Sequence, residues 1–237
     1  MRPTLRAALL GSAFALSALM PVAGAWAQAA PRDTLVALRE IDADNYDPAR
    51  PASQSAGWAI YMMADTLVSM DWDQKTVKPG LAESWTVSPD GKLYTFKLKQ
   101  GVKFCDGKPM TAKDVVYSIN RWIDPATRSP SKWRAGQVKE VRAVDDYTVE
   151  YELKEPFSEL LTQLTMYFGS VVDQATVEKL GQNFGVQGFN GTGPYCWGSW
   201  TPRQDLVLNR HEGYNWGPPI YSCLLYTSPS PRDGLLS

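Results

Sequence analysis

The chain has 237 residues, of which 44% are hydrophobic, and its formal net charge at pH 7 is −1. Charged residues form no block of one sign, so neither a nucleic acid nor an anionic membrane surface is indicated as a partner. Nine tryptophans and eleven tyrosines are plentiful for this length. Such side chains often line pockets for flexible ligands, although most of them pack in cores.

Residues 1–29 have the layout of a secretory signal peptide. Arg2 and Arg6 precede an apolar stretch rich in small residues, and the alanines at 25, 27 and 29 offer small-x-small cleavage sites. The apolar run is shorter than the ~20 residues of a spanning helix, and Pro21 interrupts it, which argues against a membrane anchor. No cysteine lies near these sites, so a lipid anchor is not indicated. We therefore expect export to a periplasm as a soluble protein.

A strand, a helix and a hairpin are predicted next along the chain. The short apolar run Thr34–Leu38 indicates the strand, and a polar loop follows it. Apolar residues at helical spacing then predict a helix over Ala56–Met70. Ser84–Ser88 and Leu93–Lys99 flank Pro89-Asp90-Gly91, which favours a hairpin because glycine accepts the positive φ that such a turn requires.

The second half of the chain continues the mixed α/β pattern. Thr111 with Asp114 three residues later resembles a capping box at the start of a helix. The remaining predicted elements are a hairpin of Val138–Val144 with Thr148–Leu153, a helix from Pro156, and a strand pair of Gly193–Thr201 with Leu206–Arg210. The segment contains no internal repeats.

Two sequence blocks carry a resemblance to a known family. The first, Pro79–Asn120, contains in order a PGLAESW strand, an SPDG turn, a YTFKL strand, a GVKF-x-DG corner and a TA-x-DVVYS helix. The second, Gly191–Trp216, begins GTGPYCW and resembles a return strand pair, in which we expect glycine to supply unusual backbone angles. These blocks are similar to the peptide/nickel class of extracellular solute-binding proteins, family 5, which deliver ligands to ABC importers.

The resemblance implies a mixed α/β (α+β) fold like that of type II periplasmic binding proteins. Residues 30–67 and 191–222 would belong to the first lobe, and 68–190 would form a small subdomain packed on it. Family members are considerably longer than this chain, so we expect the second lobe, beyond Tyr221, to be missing. The string 223–237 resembles a translated sequencing adapter rather than a natural Ser/Pro-rich tail, and we expect it not to belong to the protein.

The family's first-lobe contacts imply a set of ligand-binding residues at corresponding positions of this chain. They are Glu40, Ile41, Asp42 and Tyr46 in the loop after the first strand, Trp133, and Ser170 after the PFSELL helix. Tyr46 and Trp133 would supply flat apolar walls, and Glu40 or Asp42 would meet an amine. For Trp133, simple packing is an equal alternative.

No catalytic constellation is indicated. The single histidine, His211, is expected at a surface or turn rather than as the base of a nucleophile pair. No nucleotide-binding, zinc-protease or α/β-hydrolase motif occurs. Asp42, Asp44 and Asp47 could line a calcium site, but their spacing lacks the glycine and distal glutamate of an EF-hand loop. We therefore expect no enzyme activity, no metal and no cofactor.

The resemblance implies the substrate-binding component of an ABC importer. Such a protein captures a peptide or similar small solute in the periplasm, is monomeric, and meets an inner-membrane permease transiently. A nickel chelate, an opine or an oligosaccharide is an alternative ligand. A ligand-sensing partner of a receptor would use the same fold, and a secreted hydrolase with its active site in the missing half is the rival class.

Cys105 and Cys196 are the two cysteines between the signal peptide and the tail. The family usually has other residues at both positions, in segments that its fold could bring together. An oxidising compartment would permit a bond between them. The resemblance therefore suggests a disulfide, with two separate buried thiols as the alternative. A Cα separation well beyond about 7 Å would exclude the bond.

Overall fold

A computed structural model describes residues 34–38, 41–50, 53–217 and 223–227. The helices are α1 (Gln54–Met63), α2 (Ala112–Ile123), α3 (Leu160–Gln163) and α4 (Gln174–Leu180), with single 3-10 turns that include Lys132–Ala135 and Tyr167–Gly169. The strands are β1 (Thr34–Leu38), β2 (Val68–Met70), β3 (Val77–Pro79), β4 (Ala82–Val87), β5 (Leu93–Leu98), β6 (Val138–Asp145), β7 (Thr148–Leu153), β8 (Tyr195–Thr201), β9 (Asp205–Arg210) and β10 (Cys223–Thr227). Within these ranges, no helix combines the length and apolar character that crossing a bilayer would require.

One antiparallel sheet, in the order β4-β5-β7-β6, is covered by α2. Alternate residues of β5 are buried, as expected for a strand with one face on a core. The capping box at the start of α2 is confirmed, since the Thr111 amide donates to Asp114 Oδ2 at 2.9 Å. The predicted turn between β4 and β5 is confirmed as well, with Gly91 at φ +69°.

A second sheet has the order β1-β10-β9-β8, with β10 parallel to β1 and antiparallel to β9. Helix α1 lies near β8 of this sheet, and their buried side chains belong to one core. Strand β10 falls within the range 223–237.

The buried apolar residues of the described ranges separate into two cores. One contains residues between Leu67 and Val171, including the β4–β7 sheet and α2. The other contains residues from Ala43 to Ala64 and from Tyr167 to Leu208. Within the range predicted for the small subdomain, 68–190, the side chains of Val172, Val177, Phe184 and Phe189 pack in the second core.

The predicted helix over Ala56–Met70 is wrong in its second half. Helix α1 ends at Met63, and Val68–Met70 is a strand paired with β3. Long-range partners take over after the helix: the Asp65 amide donates to Thr192 Oγ1 at 3.2 Å, and the Ala82 amide donates to the Leu67 carbonyl at 2.9 Å. The apolar spacing continues past Met63 because the strand also buries its side chains.

The crossover GTGPY passes directly against the end of α1. A Cβ atom on Gly193 would lie 2.5 Å from the carbonyl carbon of Met63. Gly191 and Gly193 are not among the described glycines with positive φ. The prediction that glycine is needed here for its backbone angles is therefore wrong, and close backbone approach is the reason instead.

Two long-range links join the parts of the chain that form the two cores. Arg121 on α2 donates to both carboxylate oxygens of the fully buried Asp47, at 2.7 and 2.5 Å. A disulfide joins Cys105, in the corner before α2, to Cys196 on β8, with the Cα atoms 5.7 Å apart. This distance is shorter than the Cα separation of about 7 Å beyond which the bond would be excluded.

Candidate ligand-binding site

Two exposed tryptophans lie near the segment that contains α3. Trp58 on α1 is 62% exposed, and Trp133 in the turn Lys132–Ala135 is 59% exposed. The Arg134 guanidinium lies 4.5 Å from the centroid of the Trp133 ring and donates to Gln163 Oε1 of α3 at 2.8 Å. A cation over the face of an aromatic ring is attractive, so these contacts hold Trp133 against α3.

A cavity of about 560 Å³ lies between α1, the start of β2 and the residues around α3. Its walls include Trp58, Tyr61 and Met166. The Tyr61 hydroxyl donates to the Thr165 carbonyl and accepts from the Tyr167 amide, both at 3.1 Å. Burial raises the pKa of Tyr61. An aromatic concavity with few polar groups is the usual form of a small-molecule site.

Asp65 supplies the charge at this cavity. Its Oδ2 atom accepts hydrogen bonds from Trp216 Nε1 at 3.0 Å and from Thr192 Oγ1 at 3.2 Å. Burial raises the pKa of this carboxyl to about 6, against the opposing effect of these two hydrogen bonds. The Asp65 carboxyl is therefore ionised at neutral pH, but its ionised form is less stable than that of a solvent-exposed carboxyl group.

A second concavity, of about 650 Å³, contains three arginines but little available positive charge. Arg121 is bonded to Asp47, and Arg50 Nε lies 3.4 Å from the same carboxylate. Arg50 also donates to the Gln182 side chain at 2.6 Å. Since two of its three guanidinium groups already have partners, we do not assign this groove a ligand.

The predicted ligand-binding residues fall in different environments. Glu40 lies outside the described residues, whereas Ile41 is 68% exposed. The Asp42 carboxylate accepts from the Ala43 amide at 2.8 Å and from the Arg203 amide in the β8–β9 turn. Ile41 and Asp42 thus lie beside that turn. Trp133 instead borders α3, so the structure divides the set into two groups.

Tyr46 and Ser170 are buried rather than presented to a ligand. Tyr46 has 0% exposure and packs edge-on against Trp197 and Trp200, at centroid distances of 5.7 and 5.1 Å. We therefore leave Tyr46 out of the proposed ligand surface. The Ser170 hydroxyl is buried and has no hydrogen-bond partner in this structure, and its amide donates to the Tyr167 carbonyl at 3.1 Å.

Sequence reasoning missed Trp58, Tyr61 and Asp65 as site residues. All three lie within the predicted helix Ala56–Met70, which was interpreted only from the spacing of its apolar residues. The available signal was Trp58 itself, a large aromatic residue of the kind that often lines pockets. No local pattern identified Asp65, since its partners Thr192 and Trp216 are distant in sequence.

His211 begins a turn, as the surface-or-turn prediction allows, since its carbonyl accepts from the Tyr214 amide at 3.0 Å, but its side chain is buried rather than at the surface. It is 5% exposed, its Nδ1 atom is 2.9 Å from the Gly193 carbonyl oxygen, and its amide donates to the Pro194 carbonyl. His211 comes directly after β9, and its ring is buried against the GTGPY crossover. Ligand atoms of His211, Cys105 and Cys196 lie within 4.8 Å of one another. The two sulfurs are bonded to each other, so in this state they offer no thiolate to a metal.

Residues 76–227 match the family described as bacterial extracellular solute-binding proteins, family 5, middle region. The chain belongs to this family. The match continues past Tyr221 and so includes residues 223–227 of the range that resembles a translated adapter.

Relatives extend the comparison over most of the chain. Glutathione-binding protein GsiB of Escherichia coli K12 is 33% identical over 193 residues, which are 81% of this chain and 36% of that protein. DppA of Helicobacter pylori, solved with the peptide STSA, is 30% identical with a TM-score of 0.73, covering 85% of this chain and 44% of that one. AgaA of A. tumefaciens R10, solved with agropinic acid, is 25% identical with a TM-score of 0.78, covering 86% and 41%. The predicted fold class is confirmed, and the chain spans about a third of the length of GsiB.

Proposed function

We propose that the full-length protein is the periplasmic substrate-binding component of an ABC importer, which captures a peptide or similar small solute and delivers it to a membrane permease. The family match over residues 76–227 carries this proposal. It is supported by the ligands named for similar proteins, which are glutathione, a peptide and agropinic acid. All three are small polar organic molecules.

The exposed apolar side chains fit one half of a two-lobed clamp. Ile41, Trp58 and Trp133 leave well over half of their surfaces in solvent. In a hinged binding protein, the ligand and the opposite lobe cover such surfaces, and the closed state is favoured by the ligand's contacts with both lobes.

We propose in addition that the protein works in the periplasm as a monomer without catalytic activity. The signal-peptide layout of residues 1–29 supports export. The single histidine of the chain is held by Gly193 beside an oxidised cysteine pair, which is no arrangement for activating a nucleophile. The permease contact is assigned from the family alone.

A thermal-shift screen of the full-length protein tests this proposal. The panel contains di- and tripeptides, glutathione, an opine and a nickel chelate. A ligand at 100 times its Kd stabilises the folded state by about 2.7 kcal/mol, which is a shift of several degrees. We expect at least one peptide-like compound to raise Tm in a concentration-dependent manner. No shift with any compound, together with hydrolysis of an ester or amide substrate, would support the hydrolase instead.

A matched pair of variants locates the site in that screen. Trp133→Ala should reduce the ligand-induced shift in Tm. Trp72→Ala should leave it unchanged, because the Trp72 side chain is 99% exposed and, unlike Met70 and Gln74, does not line the cavity. Equal effects of the two substitutions would contradict the placement of the ligand beside Trp133.

A further inference from the structure

The cavity beneath Trp58 has a distinctive distribution of charge. Of the residues that line it, Asp65 is the single one with an ionisable acid or base other than a tyrosine hydroxyl. The other walls are aromatic, aliphatic or neutral polar groups, among them Trp58, Tyr61, Met70 and Met166. The cavity therefore presents one negative charge against a largely apolar lining.

Within the described ranges, hydrogen-bond donors contact only one of the two carboxylate oxygens of Asp65. Both hydrogen bonds of the carboxylate, from Trp216 and Thr192, go to Oδ2. Among the described residues, no cation forms an ion pair with Asp65, and Lys99 acts on it only through space. The residue is partly exposed at the cavity. Oδ1 is thus available to a hydrogen-bond donor that enters from the cavity.

The walls suit a cation that is attached to an apolar stem. Trp58 can offer its ring face to a positive charge, and tryptophan is the strongest of the aromatic residues in this role. The thioether side chains of Met70 and Met166 line the same space and adapt to irregular aliphatic groups. A bare inorganic cation would leave these apolar walls unused.

We propose that this cavity binds a primary ammonium or guanidinium group on an aliphatic stem, such as a lysine- or arginine-like side chain of the captured solute. The inference rests on the proposed function, because it names a chemical feature of the ligand. Asp65 Oδ1 would accept a hydrogen bond from the cation, while the Trp58 ring and the methionine side chains would contact the stem. The raised pKa of Asp65 is consistent with a carboxylate that lacks a cationic partner in the unliganded protein.

The test uses two small probes that share a butyl stem and differ in the head group, a charged ammonium against a neutral hydroxyl. Binding of n-butylammonium and of 1-butanol to the chain without residues 1–29 is measured by ligand-observed NMR at pH 7.5. We expect n-butylammonium to bind about tenfold more tightly, which corresponds to one charge-assisted hydrogen bond. Asp65→Asn should abolish this preference, since Asn can still accept the bonds from Trp216 and Thr192. Glu83→Gln, which removes the same charge from the exposed face of β4, should preserve it.

A second variant covers the case in which Asp65→Asn does not fold. Trp58→Leu keeps an apolar residue at an exposed helix position and should weaken binding of the ammonium more than binding of the alcohol. A preference that persists in Asp65→Asn, equal binding of the two probes to the unsubstituted chain, or the absence of binding by either would overturn the proposal. The proposed function fails separately, in the thermal-shift screen, where a neutral ligand would sustain it while contradicting this inference.

Discussion

Loss of the Cys105–Cys196 bond should lower the free energy of unfolding by about 4 kcal/mol. The two cysteines are 91 residues apart in sequence. For a loop of this size, the chain-entropy model gives about 4.6 kcal/mol at 25 °C, and any strain in the native state reduces this value. The bond also joins segments from the two cores, so its loss should destabilise both cores.

Urea unfolding measures this effect in a Cys223→Ser background, where one thiol pair is present. With an m value of about 2–3 kcal/mol/M, the midpoint of the Cys105→Ser/Cys196→Ser variant should fall by about 1.5–2 M. Each single substitution should cost nearly as much as the double one, because either removes the whole cross-link. A phosphine reductant should bring the unsubstituted chain to the midpoint of the double variant and leave the double variant unchanged. If the reductant left the urea midpoint of the unsubstituted chain unchanged, the disulfide would be refuted.

Three further predictions concern stability. Arg121→Met leaves the buried Asp47 carboxylate with Arg50, at 3.4 Å, as its remaining cationic partner and should cost up to about 3–5 kcal/mol in urea unfolding, most of it recovered by adding Asp47→Asn; a cost near zero would contradict the buried pair. The folded pKa of Asp65, about 6, lies above its ordinary value of 3.8, so its contribution to stability falls as pH rises from about 4 to 6. Asp65→Asn should therefore gain up to about 3 kcal/mol relative to the unsubstituted chain between pH 4 and pH 7, whereas a pH-independent difference would show that burial does not perturb the group. Gly193→Ala places a Cβ atom 2.5 Å from the Met63 backbone and should cost about 1–3 kcal/mol, while Gly213→Ala, whose nearest contact is 3.5 Å away, should be nearly silent in thermal unfolding.

Locally determined elements were predictable from the sequence. The β4–β5 turn follows from Pro89-Asp90-Gly91, and the start of α2 follows from Thr111 and Asp114, because each signal lies within four residues of the structure it produces. Their order along the chain also carried the family resemblance, which the family match confirms.

Features that depend on distant partners were not predictable in this way. The end of α1 at Met63 depends on Thr192 and on strand β3, which no local propensity reveals. Tyr46 is buried because Trp197 and Trp200 are close to it in space but far from it in sequence. The candidate site was the least predictable part, because its acid, Asp65, is positioned by hydrogen bonds from Thr192 and Trp216, which are distant in sequence.

Calorimetric titration tests a two-lobed clamp most directly. The ligand found by thermal shift is titrated into the full-length protein and, separately, into residues 30–221. The full-length protein should bind with micromolar or tighter affinity and a change in tryptophan fluorescence. Residues 30–221 should show no tight binding, because half of the ligand contacts and most of the desolvation are lost. Micromolar or tighter binding by residues 30–221 to the same ligand would contradict the clamp.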